Sequence, residues 1–168
     1  MNRVKQFFKS ITATVNKSDK TFVDIYLNEE EKNILYSLPR YDIKHSINVA
    51  KDILHNEDKL LIKEEGLNID LLIKSALLHD VGKIYKKLNP IDKSVLVILN
   101  SASKGKIKKY QHKSKKIYIF YNHGEEGYNI LKKVGRYDND FLKVVRYHHI
   151  YSKNNTWLDK LRKYDNRN

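Results

Sequence analysis

Apolar residues along this chain recur mainly at intervals of three and four, the period of an amphipathic helix. Val4, Phe7, Phe8 and Ile11 predict a short N-terminal helix. Asn28 fits an N-cap, with Glu29, Glu30 and Glu31 in the first turn and Ile34, Leu35 and Leu38 behind them; Pro39 ends that segment. From Tyr41 a stripe continues through Ile43, Ile47, Ala50, Ile53 and Leu54. Asn68 caps a mostly apolar stretch, Ile69 through Leu78, which runs into His79 and Asp80. Asp92 to Ala102 reads as a buried helix, and Asn122–Val134, Asn139–His149 and Trp157–Tyr164 as three more. Lys116 to Tyr121 has strand-like composition, but a single strand has nothing to pair with. The lysine-rich stretch Lys104–Lys116 reads as an exposed loop or a frayed helix end. The pattern predicts an all-α, single-domain helical bundle. Residues 1–40 would form a helical extension packed on a domain spanning 41–168.

With 168 residues the chain is long enough to bury one core without staples. It has no cysteine, which excludes disulfides, thiolate metal sites and a cysteine nucleophile. Any metal must be held by His, Asp, Glu or water. The longest aliphatic run is Val95–Leu99, far short of the ~20 residues a spanning helix needs. Lys9 breaks up any leader-like apolar segment near the N-terminus. A cytoplasmic protein without a membrane partner is expected.

Charge is distributed unevenly. Residues 1–85 hold 13 Lys/Arg and 13 Asp/Glu, whereas 86–168 hold 20 Lys/Arg and 7 Asp/Glu, so the whole net charge of +13 sits in the second half. A one-sided positive field attracts phosphates, nucleic acid or anionic surfaces. Biased composition offers another reading, because lysine outnumbers arginine 27 to 6.

Seven histidines are present, and two groupings stand out among them. His79-Asp80 ends an apolar helix and precedes Val81-Gly82-Lys83; His148-His149 is an adjacent pair near the end of another. Inward-facing His and Asp on separate helices of a bundle can hold a pair of metal ions. Imidazole with carboxylate suits Mn²⁺, Fe²⁺, Zn²⁺ or Co²⁺.

At this point the sequence resembles the HD superfamily of metal-dependent phosphohydrolases, in its HDIG-like stand-alone form. The resemblance rests on His45 in Lys44-His45-Ser46, on Leu78-His79-Asp80-Val81-Gly82-Lys83, on His123 in Asn122-His123-Gly124-Glu125-Glu126-Gly127, on Tyr147-His148-His149, and on Asp165. It implies an HD-type bundle with a metal site in its core. His45, His79, Asp80 and Asp165 would hold a first ion. Asp80 would bridge to a second, completed by His123 and His148. His149 would be an extra ligand or a phosphate contact, and Lys83 would face the substrate phosphate. The implied cofactors are two divalent ions, Fe or Mn first, with Zn, Co, Ni or Mg as alternatives. The implied chemistry is attack on phosphorus by a metal-activated hydroxide, positioned by Asp80. His55 and His112 match nothing in the family and read as surface residues.

Absences narrow the substrate. Ile150-Tyr151-Ser152 stands where the cyclic-di-GMP branch has Gly-Tyr-Pro, and Tyr85-Lys86-Lys87 stands where alarmone hydrolases and 5′-deoxynucleotidases place acids. The remaining likeness is to small symmetric dinucleoside polyphosphate hydrolases. A nucleotide or dinucleotide polyphosphate is therefore expected, with Lys104, Lys106 and Lys108 as further phosphate contacts. Two alternatives stay open. The basic half, with Tyr110, Tyr118, Phe120 and Tyr121 interleaved, would suit an RNA-directed nuclease or RNA-binding protein. A non-catalytic nucleotide sensor is the other.

Overall fold

A computed structural model describes residues 14–153 and 155–168. The N-terminal helix expected over Val4–Ile11 lies outside them. The described chain forms α1 (Lys17–Tyr26), α2 (Glu29–Tyr36), α3 (Arg40–Asn56), α4 (Lys59–Glu64), α5 (Ile69–Leu78), α6 (Pro90–Ala102), α7 (Lys115–Val134), α8 (Asn139–Tyr147) and α9 (Thr156–Asp165), with 3₁₀ turns at Val81–Tyr85 and Lys106–Tyr110. The described residues contain no strand, and the fold they form is all-α.

Polar caps set where most helices begin. Asn16 and Asn28 each form a capping box with the acid three residues on, Asp19 and Glu31. Asn68 accepts from the amides of Asp70 and Leu71, Asp138 from Phe141, and Asn155 from Leu158.

Helix α5 is the hub. Leu72, Ile73, Ala76, Leu77 and Leu78 are fully buried, and α1, α3, α8 and α9 pack around them. Helix α3 contributes Ile43, Ile47, Ala50 and Ile53, the stripe its sequence shows. Phe22, Val23, Leu35 and Leu38, from the stretch read as an extension, belong to the same apolar core. A second, smaller cluster of Leu88, Leu96 and Ile119 lies beneath α6.

Several expectations are corrected. The strand-like run Lys116–Tyr121 is the first part of α7. Ser114 caps it by accepting from Ile117, and Ile119 falls on the same buried face as His123, Gly127 and Leu131. Helical period overrides β-type composition there. The Lys104–Lys116 stretch is mostly exposed, as expected, and is built of turns: Gly105 turns the chain at φ 80°, a 3₁₀ turn follows, and α7 begins at Lys115. Helix α6 starts at Pro90, because Asn89 caps it, and it is not a buried helix. Leu96 alone is buried on it, while Ile91, Val95, Ile98 and Leu99 face solvent. Helix α8 ends at Tyr147, so His148 and His149 lie in the turn after it.

Candidate metal centre

The chain assembles the site at helix ends. His79 and Asp80 follow the last residue of α5, His148 and His149 follow α8, and Asp165 closes α9. His45 and His123 sit within α3 and α7. Close packing of backbones makes this convergence possible. A Cβ on Gly82 would meet the carbonyl oxygen of His123 at 1.9 Å, and one on Gly124 would meet that of Arg146 at 2.6 Å. Only glycine lets the 3₁₀ turn after Asp80 lie against α7, and lets α7 lie against α8.

The predicted ligands fall into two groups. Asp80, His123, His148 and His149 offer donor atoms within 4.8 Å of one another, and so do His45, His79 and Asp80. Asp165 joins the second group, accepting from His45 Nε2 at 2.9 Å and lying 3.6 Å from His79 Nε2. Asp80 is common to both. Its Oδ1 lies 3.4 Å from His123 Nε2 and 3.8 Å from His148 Nε2; its Oδ2 lies 3.4 Å from His79 Nε2.

Three rings are oriented by the main chain. His79, His123 and His148 place Nδ1 on the carbonyls of Ala76 (2.8 Å), Ile119 (3.0 Å) and Val145 (2.7 Å). That acceptor assigns a proton to Nδ1 and turns Nε2 to the centre. These residues fit divalent ions. His79 Nε2 and Asp80 Oδ1 are buried with no hydrogen-bond partner among the described residues. Ligand atoms ~2.1 Å from a common ion at octahedral to tetrahedral angles lie about 3.0–3.4 Å apart. The separations of Asp80 from His79 and His123 (3.4 Å) and of His123 from His148 (3.2 Å) match that span, and His148 lies farther from Asp80, at 3.8 Å.

Charge is concentrated here. Burial drives the carboxyl of Asp80 upward, yet Lys83 and His79 outweigh it and hold the group well below the usual carboxylate range. Asp165 is likewise held low, by His45 and His79 against its burial. Burial opposes charge on His79, but Asp80 and Asp165 raise the ring to about 9. Burial and the nearby Lys83 push His123 down and keep it neutral.

Lys83 is not an exposed helix-end lysine. Its ammonium contacts Asp80 directly and lies 3.8 Å from Asp42. Lys104, Lys106 and Lys108 belong to neither ligand group and are exposed around the second 3₁₀ turn, with the Lys108 ammonium 5.7 Å from the ring centre of Tyr121. His55 and His112 are exposed, as expected.

Three residues escaped the sequence reading. Asp42, fully buried, holds Lys93 of α6 beside Lys83. A lone Asp at the start of a helix looks like an ordinary first-turn acid, and its partner is 51 residues away. Arg162 of α9 is nearly buried. It donates from Nε to the carbonyl of His148 (2.9 Å) and from Nη2 to those of Tyr147 (2.8 Å) and Ile150 (2.7 Å). A guanidinium on the exposed carbonyls of a helix end is favourable on charge and on geometry. It pins the turn that carries the paired histidines.

The family model of the HD domain matches residues 42–166. No curated protein and no solved structure matches the chain.

Proposed function

The chain belongs to the HD domain family, and on that premise we propose that it is a phosphohydrolase working with two divalent ions, Mn²⁺ or Fe²⁺ first, on a nucleotide or dinucleotide polyphosphate. One observation carries the reading: Asp80, buried and central, faces His79 with one oxygen and His123 and His148 with the other. A carboxylate so placed suits a bridge between two ions. His45, His79 and Asp165 would complete one ion's ligands, and His123, His148 and His149 the other's. Divalent ions supply Lewis acidity toward a phosphoryl oxygen and lower the pKa of water.

The chain's own groups do the rest. The main-chain carbonyls behind His79, His123 and His148 hold the rings in register and keep their Nδ1 protons away from the centre. Asp165 orients His45. Lys83, already at Asp80, would place its ammonium against a phosphate oxygen as negative charge develops there. His149, exposed beside His123, stands where substrate would enter. The RNA alternative draws no support from the aromatics. Phe120 is packed against the small core and Tyr121 is half-buried and bonds Asn100, so of the four only Tyr110 and Tyr118 are exposed and no continuous row of stacking faces forms.

The test is metal content followed by turnover. Protein purified without oxygen or chelators should hold about two transition ions per chain. It should then hydrolyse a generic phosphoester, with higher kcat/KM for dinucleoside polyphosphates. Bound ions without turnover on any phosphoester or phosphoanhydride would favour the sensor reading.

A further inference from the structure

Helix α6 has two apolar faces. One carries Leu96, which is buried against Leu88 and Ile119, and Lys93, which reaches inward to Asp42. The other carries Ile91, Val95, Ile98, Leu99 and Ala102. The four large aliphatics among them are 63%, 48%, 63% and 47% exposed. At 3.6 residues per turn, these five side chains share an arc of about 100° along a rod about 20 Å long. The core does not use this face, because the buried face lies opposite. Leaving large aliphatic side chains contiguous in water is costly, and such stripes mark interaction surfaces.

The surroundings are strongly cationic. From Lys83 to Lys116 the chain carries eleven lysines and a single acid, Asp92. That acid is already engaged by Lys116 at 2.6 Å. Lys87 precedes the helix, and Lys104, Lys106, Lys108 and Lys109 follow it; all five are exposed.

We infer that this face docks on an anionic lipid bilayer, with the aliphatic stripe in the acyl–headgroup boundary and the lysines on acidic headgroups. Each half of the pattern rules out another occupant. A second copy of this chain would bring the same cationic field against itself. Single-stranded nucleic acid would match the charge, but the stripe holds no aromatic ring on which a base could stack. A free phosphate would engage lysines and leave the aliphatics wet. Apolar side chains lying in one plane with lysines around them suit a membrane surface. No described helix is long and apolar enough to cross a membrane, and surface attachment requires none. The sequence reading expected no membrane partner, and this proposal departs from that expectation. This inference does not depend on the catalytic reading.

Vesicle co-sedimentation tests it with the full chain. Phosphatidylcholine vesicles containing about 30 mol % phosphatidylserine should bind the protein at low salt, and pure phosphatidylcholine should not. Raising salt about tenfold should weaken binding strongly. The double variant Ile91→Asp/Ile98→Asp should weaken it by at least about tenfold. Both positions face solvent, so circular dichroism and metal content should match wild type. Absence of binding to the anionic vesicles overturns the inference. So does undiminished binding of the double variant, which would make the contact a purely electrostatic one. Sedimentation velocity showing a wild-type dimer that the double variant dissociates overturns it too, by assigning the face to self-association.

Discussion

The Nε2 atoms of His123 and His148 lie 3.2 Å apart, and each ring has its Nδ1 on a main-chain carbonyl. Rings so held turn their Nε2 atoms toward each other. Such an arrangement is unfavourable unless a cation or a shared proton lies between them, and His123 is pushed away from protonation. Ion binding should therefore stabilise the fold. At about 100 times the dissociation constant the gain is about 2.7 kcal/mol, or several degrees in Tm.

That gain should depend on pH through His79, which is raised from 6.5 to about 9. Its proton stabilises the ion-free fold fully below 6.5, and the contribution is lost as pH climbs through about 9. An ion must displace the same proton. The Tm rise produced by Mn²⁺ should grow between pH 6.5 and 9. Calorimetry in buffers of different ionisation enthalpy should show proton release. A flat gain across that range would contradict the assignment.

Asp80→Asn should remove ions from both groups and abolish turnover, because both rely on that carboxylate. His149→Ala should cost less, leaving His123, His148 and Asp80 in place. Metal analysis of the two variants side by side checks the order. Loss of metal in His149→Ala equal to that in Asp80→Asn would refute it.

Gly82→Ala should disrupt the site without touching a ligand. The added Cβ would overlap the His123 carbonyl, and that atom belongs to a helix backbone that cannot swing aside. The expected cost is about 3 kcal/mol, roughly 10 °C in Tm, with loss of metal. A variant with unchanged Tm and metal content would show that the two backbones can separate freely.

Arg162→Gln should loosen the turn that bears His148 and His149. It removes charge-assisted bonds to three carbonyls and costs about 2–3 kcal/mol. Added metal should recover part of the Tm but not the wild-type affinity. Wild-type metal affinity in this variant would argue that the arginine serves stability alone.

Far from the site, Asp19 ties α1 to α3 through Lys44 (2.7 Å) and Lys51 (2.8 Å). Burial pushes its carboxyl up, but these partners prevail and hold it at about 2, below the ordinary 3.8. The resulting stabilisation, about 2 kcal/mol, is present above 3.8 and disappears as pH falls through about 2. The stability gap between wild type and Asp19→Asn, read from urea midpoints, should shrink over that acid range. A gap independent of pH would mean the loss comes from packing.

The linear sequence determined the helical class and singled out most of the candidate ligands that the fold brings together. Both are local properties. A 3.6-residue stripe such as Ile43–Ile47–Ala50 needs only its own helix. His79-Asp80 before Gly82 is recognisable because the two candidate ligands and the close-approach glycine are adjacent in the chain. The tertiary structure decided what depends on distant partners. Asp42 acquires its role from Lys93, Arg162 from the carbonyls after α8, and Lys83 from Asp80's charge. The same holds for α6. Its apolar residues give no sign of which face is covered, because periodicity measures amphipathicity and not the presence of a neighbour. Only packing shows that Leu96 is buried while Ile91 and Ile98 remain in water.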